Sequence, residues 1–212
     1  MPKAVDRDER REELLEAVWR VIARDGIERA TIRTIARETG WSAGVLAHYF
    51  EDKDDILISA LRLSYERIAA RWEAKLDGLE GIAALYELVV DNLPLDDDRR
   101  LETRLLVNYW SRGVRDEQYL RINWRRGPVL LDRLKALLGE AQVDGQIDTN
   151  ERAADVAERF LALIDGLSLH SLINPERVTV ERQLELVGLE FHRLATLKGA
   201  ALLASHIGTA SN

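Results

Sequence analysis

The chain has 212 residues, a formal net charge of −7 and no cysteine. Such a length can bury a substantial core in one or two domains, and the missing thiol excludes disulfides, a cysteine nucleophile and Cys-ligated metal. No apolar run reaches the ~18 residues of a membrane span, and the charged start MPKAVDRDERREE lacks the apolar core of an export signal, so no membrane partner and a cytoplasmic location are expected. Charge is unevenly spread: residues 1–50 hold nine basic and nine acidic side chains, the rest 21 and 28. The acidity is thus confined to the C-terminal part, which leaves the N-terminal part free to approach phosphates.

Residues 7–25 predict the first helix. Leu14, Leu15, Val18, Val21 and Ile22 form its apolar stripe, Arg7, Glu9, Arg10, Glu12, Glu13 and Glu16 its solvated face, and Asp25-Gly26 its end. Residues 31–50, TIRTIARETGWSAGVLAHYF, predict two short helices about a tight turn. Thr31 is an N-cap, Ile32, Ile35 and Ala36 share a face, and Gly40 ends the first helix without a Cβ penalty. Ser42 caps the second helix, expected to run into Tyr49-Phe50. Leu46 and Phe50 pack back on Ile32, Ile35 and Ala36, leaving Ala43, Gly44, Val45, Ala47 and His48 outward. A short helix presenting small, methyl-bearing and hydrogen-bonding residues, braced by the helix before it, suits a DNA-reading helix-turn-helix.

Gly40, Trp41, Ser42, the run His48-Tyr49-Phe50 and Lys53 stand in an order that resembles the DNA-binding domain of the TetR family of bacterial transcriptional regulators. The stretch HYFEDKDDIL is similar to its betaine-synthesis repressor (BetI-like) subgroup. Two positions depart from the pattern: Ala43 where a polar or basic reader is common, and Ala47 where an aromatic is common. The resemblance implies a ligand-responsive homodimeric repressor released from a palindromic operator by a small effector, through movement of the helix that opens at Lys53.

That long helix, residues 53–76, follows with only Glu51-Asp52 between. Further helices are expected at 82–93, stopped by Pro94; at 98–112, after the acids Asp96-Asp97-Asp98; and at 116–142, kinked or divided at Pro128. Two long helices, 150–173 and 178–198, come last, the second capped by Thr179. The tail from 199 on is expected to fray. The reading is all-α with about nine helices: a three-helix DNA-binding domain at 1–52, an effector-binding and dimerisation domain at 53–198, and the tail 199–212.

For DNA contact the candidates are Thr31, Arg33, Thr34, Ser42, Ala43, Gly44, Val45, His48, Tyr49 and Lys53. Thr31 and Ser42 are first of all caps; Tyr49 and Lys53 are placed on phosphates, Lys53 adding its charge to a helix N-terminus. Trp72, Tyr86, Leu106, Tyr109, Trp110, Trp124 and Phe160 are candidates for lining an effector cavity, since aromatic walls suit a small organic molecule and attract a cation. Most such aromatics elsewhere are plain core. Val180, Leu184, Val187, Phe191 and Leu194 make one stripe, with Leu186, Leu189 and Leu197 off it, so the last helix has two faces to cover. With Asp165 and Gly166, the first stripe is the expected two-fold interface.

An enzyme is the competing class and finds little support. Asp96-Asp97-Asp98 resembles half of a metal-binding acid cluster, but Arg100 stands where the next acid is needed, and a helix N-cap explains the acids better. No Glu lies three residues before any of the four histidines, so no di-iron pair exists, and no phosphate-cradling Gly loop is present. No catalytic residues, metal or cofactor are expected. A third reading is a DNA-binding protein with no effector.

Overall fold

A computed structural model describes the backbone of residues 3–114 and 117–210, and the side chains of residues 10–114 and 129–209. The side chains of Arg7, Glu9, Tyr119 and Trp124 lie outside the described residues. Among these residues every regular element is helical: α1 (Lys3–Asp25), a 3-10 turn (Ile27–Arg29), α2 (Ile32–Thr39), α3 (Ala43–Leu46), α4 (Lys53–Leu76), α5 (Gly81–Asp91), α6 (Asp97–Gly113), α7 (Glu117–Val143), α8 (Ala153–Ile173), α9 (Val180–Leu194) and α10 (Leu197–Ala210). The chain divides into two compact units, Met1–Ala69 and Ala70–Asn212, and α4 contributes to both.

The first unit forms because three amphipathic stripes converge. Leu14, Val18 and Ile22 of α1, Ile35 of α2, Leu46 of α3 and Phe50 are all buried, and Ile56, Ala60 and Leu61 close the core from α4. Ile32, expected in this core, is only half-buried. The second unit buries Ile82, Leu85, Leu88, Val89, Leu134, Leu138, Val156, Phe160, Ile164, Val187 and Phe191 from α5, α7, α8 and α9.

Four expectations change. The second helix of the turn motif is α-helical only over Ala43–Leu46; residues 47–49 form a turn, so the reading segment is shorter than periodicity suggested. Pro128 does not divide α7, which runs unbroken through it, since one missing N–H removes a single bond from a long ladder. The last helix is split at Ala195-Thr196, where no proline or glycine signals a break. Ala195 is extended (φ −70°, ψ 135°) because Leu194 O accepts from Asp148 N and Gln146 O accepts from Thr196 N, both at 3.0 Å. Finally, residues 199–210 do not fray but continue as α10. Thr196 Oγ1 donates to Gly145 O (2.7 Å), Lys198 Nζ donates to Asp144 O (2.7 Å), and Leu203 is buried. Gly199 makes this docking possible: a Cβ there would lie 2.0 Å from the Gln146 carbonyl oxygen.

Candidate nucleic-acid interface and regulatory surfaces

The turn motif is built by its caps. Thr31 accepts from Thr34 N, and Thr34 Oγ1 accepts in return from Thr31 N at 2.9 Å, closing a capping box. The Thr34 hydroxyl also donates to Arg29 O. Thr34, a candidate for DNA contact, therefore spends its hydroxyl on the cap, while Arg33 beside it is exposed. Gly40 takes the left-handed conformation (φ 73°) that ends α2. Ser42 Oγ accepts from Val45 N at 3.2 Å to start α3.

With Leu46 held in the core, Ala43, Gly44, Val45, Ala47 and His48 are all exposed. They present methyl groups and one imidazole. Tyr49 is half-buried, its ring edge-on to Trp41 at 6.0 Å, which makes Trp41 a brace. Arg11 of α1 fixes the end of the segment: Nη1 donates to Tyr49 O (2.9 Å), Nη2 donates to Ser59 Oγ (2.8 Å), and the guanidinium stands 5.5 Å from the Phe50 ring. Lys53, at the start of α4, is not idle. Its Nζ donates to the Glu28 carboxylate at 2.8 Å and to Glu28 O at 3.0 Å.

The second unit sorts the candidate pocket residues into two groups. Tyr86 packs its ring against Phe191 (5.3 Å) and His206 (6.5 Å), and Phe160 packs against Phe191 (5.1 Å). Phe160 is therefore a core residue. Tyr86 borders an open groove of about 340 Å³ between α9 and α10, lined by Leu184, Gly188, Leu203 and Ile207 among others. On α4 and α6, Trp72 and Tyr109 are buried and Leu106 and Trp110 half-buried. The Trp72 indole N–H is buried with no hydrogen-bond partner among the described residues. A buried indole N–H ordinarily finds an acceptor.

Beside Trp72, a charged cluster escaped the sequence reading. Arg71 Nε donates to Asp91 Oδ2 (2.9 Å), while Nη1 and Nη2 donate to the two oxygens of Glu102 (2.8 and 2.9 Å). Lys75 Nζ reaches Asp91 Oδ1 at 2.8 Å, and Arg99 Nη1 lies 4.0 Å from the same oxygen. The Asp91 side chain is 1% exposed and that of Glu102 8%. Burial pushes the Glu102 carboxyl up despite its arginine, and the two carboxylates hold the Arg71 guanidinium protonated although burial works against it. The only sequence signal was a pair of acids in otherwise mixed helices. Asp96, by contrast, does what the sequence suggested: it caps α6 by accepting from Arg99 N at 2.8 Å.

Burial divides the expected two-fold stripe. Val187, Phe191 and Leu194 are buried in their own unit's core, because α9 must cover Phe160 and Tyr86; Val180 and Leu184 are half-buried. The outward apolar side chains are instead Leu189 on α9 and Leu169 and Ile173 on α8. A groove of about 520 Å³ between α8 and α9 is lined by Leu163, Gly166, His170, Arg182 and Leu186 among others. A Cβ on Gly166 or Gly188 would meet nothing within 4 Å. Asp165 shares the α8 face with Ala162, Leu169 and Ile173, half-buried, and desolvation pushes its carboxyl up to about 6.

Residues 14–60 match the family of bacterial regulatory proteins, tetR family, and residues 81–196 match the C-terminal domain of BetI-type transcriptional repressors. The chain is 30% identical over 190 residues to the HTH-type transcriptional regulator PksA of Bacillus subtilis (strain 168), covering 86% of this chain and 88% of that protein. It is 29% identical over 189 residues to the HTH-type transcriptional regulator BetI of Vibrio parahaemolyticus, covering 86% and 90%. Its fold is similar to the crystal structure of a transcriptional regulator from Saccharomonospora viridis in complex with choline, with a TM-score of 0.82, 26% identity, and coverage of 89% of this chain and 99% of that one.

Proposed function

Because this chain belongs to the TetR family of bacterial regulatory proteins, with a C-terminal domain of the BetI repressor type, we propose a residue-level reading of how it regulates. It is a DNA-binding transcriptional regulator and not an enzyme; regulators of this family bind operators as dimers and respond to small molecules. In this chain we assign DNA binding to residues 1–52, effector binding and dimerisation to residues 53–198, and place the protein in the cytoplasm. No helix among the described residues is long and apolar enough to cross a membrane.

The observation that carries the DNA assignment is the exposed methyl-and-imidazole surface of residues 43–48. Ala43 and Val45 meet thymine methyls, and Gly44 lets the backbone come close. His48 makes one base or phosphate hydrogen bond, and Arg33 adds a charged contact from α2. Thr31, Thr34 and Ser42 act through the backbone they cap. Tyr49 and Lys53 hold phosphates, Lys53 exchanging Glu28 for the DNA. In a dimer the two reading segments lie in successive major grooves, roughly 34–36 Å apart. The two-fold contact forms on Leu189, Leu169, Ile173 and the groove at Gly166, with Asp165 beside it.

For the effector we propose a small organic cation of the choline type. Support comes from the choline-bound relative, from the Trp72 N–H, which has no partner among the described residues and suits an effector hydroxyl, and from Tyr109 and Trp110 on α6 as aromatic walls. The effector binds better to a conformer in which α4 no longer presents the reading segments at groove spacing, and it can act only through that difference in affinity. The test is anisotropy of an operator duplex obtained by in vitro selection on the wild-type protein, titrated with choline chloride. Release of DNA is expected. Retention at saturating choline, with choline binding seen by calorimetry, rules choline out as inducer; no selected duplex at all removes the DNA assignment.

A further inference from the structure

The charged cluster at Arg71 has a place in the chain that suggests a task. Between Lys53 and Leu76, α4 is one continuous helix that belongs first to one compact unit and then to the other. Within the first unit, Arg67 pairs with Glu16 of α1 and lays its guanidinium 4.7 Å from the Trp19 ring. One turn on, and within the second unit, Arg71 forks onto Asp91 of α5 and Glu102 of α6. Over residues 70–76 the only buried side chain of α4 is Trp72, because Ala70, Glu73, Ala74 and Lys75 are exposed. The second unit therefore grips this part of α4 through the Trp72 indole, the half-buried Leu76 at its end and a set of directional ion pairs.

The chemistry of the grip is informative. An apolar contact of similar size lets a helix roll or slide by a fraction of a turn at little cost. A guanidinium hydrogen-bonded to two carboxylates at 2.8–2.9 Å does not, since both forks must stay planar and in register. Buried pairs of this kind contribute little net stability, and their best-attested use is to fix register. Lys75 Nζ, at 2.8 Å, and Arg99 Nη1, at 4.0 Å, also face Asp91 Oδ1, so the acid has further cationic neighbours on α4 and α6.

We propose that Arg71, with Asp91 and Glu102, is the coupling latch of this regulator: it makes α4 follow α5 and α6, so that a change around the effector site reaches the DNA-reading unit. Arg67 fastens the same helix to α1 one turn earlier and completes the transmission. The proposal rests on the reading above, in which α4 carries the signal. Arg71 is a positioning residue and touches neither DNA nor effector.

Coupling is reciprocal, so DNA binding must be felt at the latch. Hydrogen exchange is followed by mass spectrometry on the full chain with and without the selected operator duplex at saturation. In wild type, DNA is expected to slow exchange in residues 31–50 and to change it by about fivefold, the low end of ordinary coupling, in α5 and α6. In Arg71→Met the effect in 31–50 persists and the effect in α5 and α6 disappears. Because that variant leaves two buried acids short of a partner, the triple variant Arg71→Met, Asp91→Asn, Glu102→Gln is measured beside it and is expected to behave alike. Unchanged transmission in either folded variant, or no change in α5 and α6 of wild type, overturns the latch. No protection of 31–50 in wild type overturns the DNA-binding reading itself and the latch with it.

Discussion

The two compact units handle polar groups in opposite ways. The first keeps its charges at the surface: Arg24 pairs with Asp25 and Glu38, and Lys53 with Glu28, all beside solvent. Its interior is mostly apolar, aliphatic side chains around Trp19 and Phe50 with the two hydroxyls of Ser59 and Ser64, and the outward face of residues 43–48 offers only methyl groups and one imidazole. The second unit buries carboxylates at Asp91 and Glu102, leaves the Trp72 N–H and the Ser168 hydroxyl without partners among the described residues, and desolvates Asp165. A mostly apolar core with its few polar groups satisfied has one good arrangement. A core with unspent polar groups has arrangements closer in energy, which a ligand can choose between.

The comparison breaks most visibly on α9, where one helix serves a core and an outer face. Phe191→Glu puts a carboxylate between Phe160 and Tyr86 and is expected to cost about 3–5 kcal/mol or more, read as a collapse of the thermal midpoint by circular dichroism. Leu189→Glu, on the outer face, is expected to keep the helical signal and the midpoint of a monomer yet sediment as monomer and lose most operator affinity. A folded dimer from either variant contradicts the assignment of faces.

The next effect is smaller and depends on pH. The Asp165 carboxyl is raised to about 6 in the folded chain, above its unfolded value, so the folded form holds the proton more tightly. Its contribution is fully favourable below the unfolded value, near pH 4, and is lost as pH rises through about 6. Asp165→Asn removes that loss. It should stabilise the protein by about 1–2 kcal/mol at pH 7 and by nothing at pH 4. Equal stability at both pH values means the acid is solvated or has found a cation.

Smaller again are the surface charges of the first unit, and these sharpen the contrast. Lys53→Ala should weaken DNA binding by about 1 kcal/mol and lower the salt slope by about one, uniformly across sequences. Glu28→Gln removes the carboxylate that competes with DNA for Lys53 and should tighten binding, by no more than about fivefold, because an exposed pair is worth little. Should Glu28→Gln weaken binding instead, Glu28 is positioning Lys53 rather than competing for it.

Local chemistry was enough for what the sequence by itself determined. Apolar spacing placed α1, α2, α4 and α8 within a few residues, and Thr31, Gly40, Ser42, Asp96 and Thr179 acted as caps where they were expected, because each cap involves groups within three or four residues of itself. The outward set Ala43, Gly44, Val45, Ala47 and His48 was legible for the same reason: Leu46 and Phe50 fix which side of a short segment faces in. Tertiary structure decided what depends on partners far along the chain. The end of α9 is set by Gln146 and Asp148, some 50 residues away, and α10 exists because Gly199 lets it dock there. Val187, Phe191 and Leu194 have the spacing of an interface, but periodicity cannot say whether a stripe faces a neighbour in the same chain or another copy. Arg71, Asp91 and Glu102 are 20 and 31 residues apart and look like ordinary surface charges until three helices bring them together.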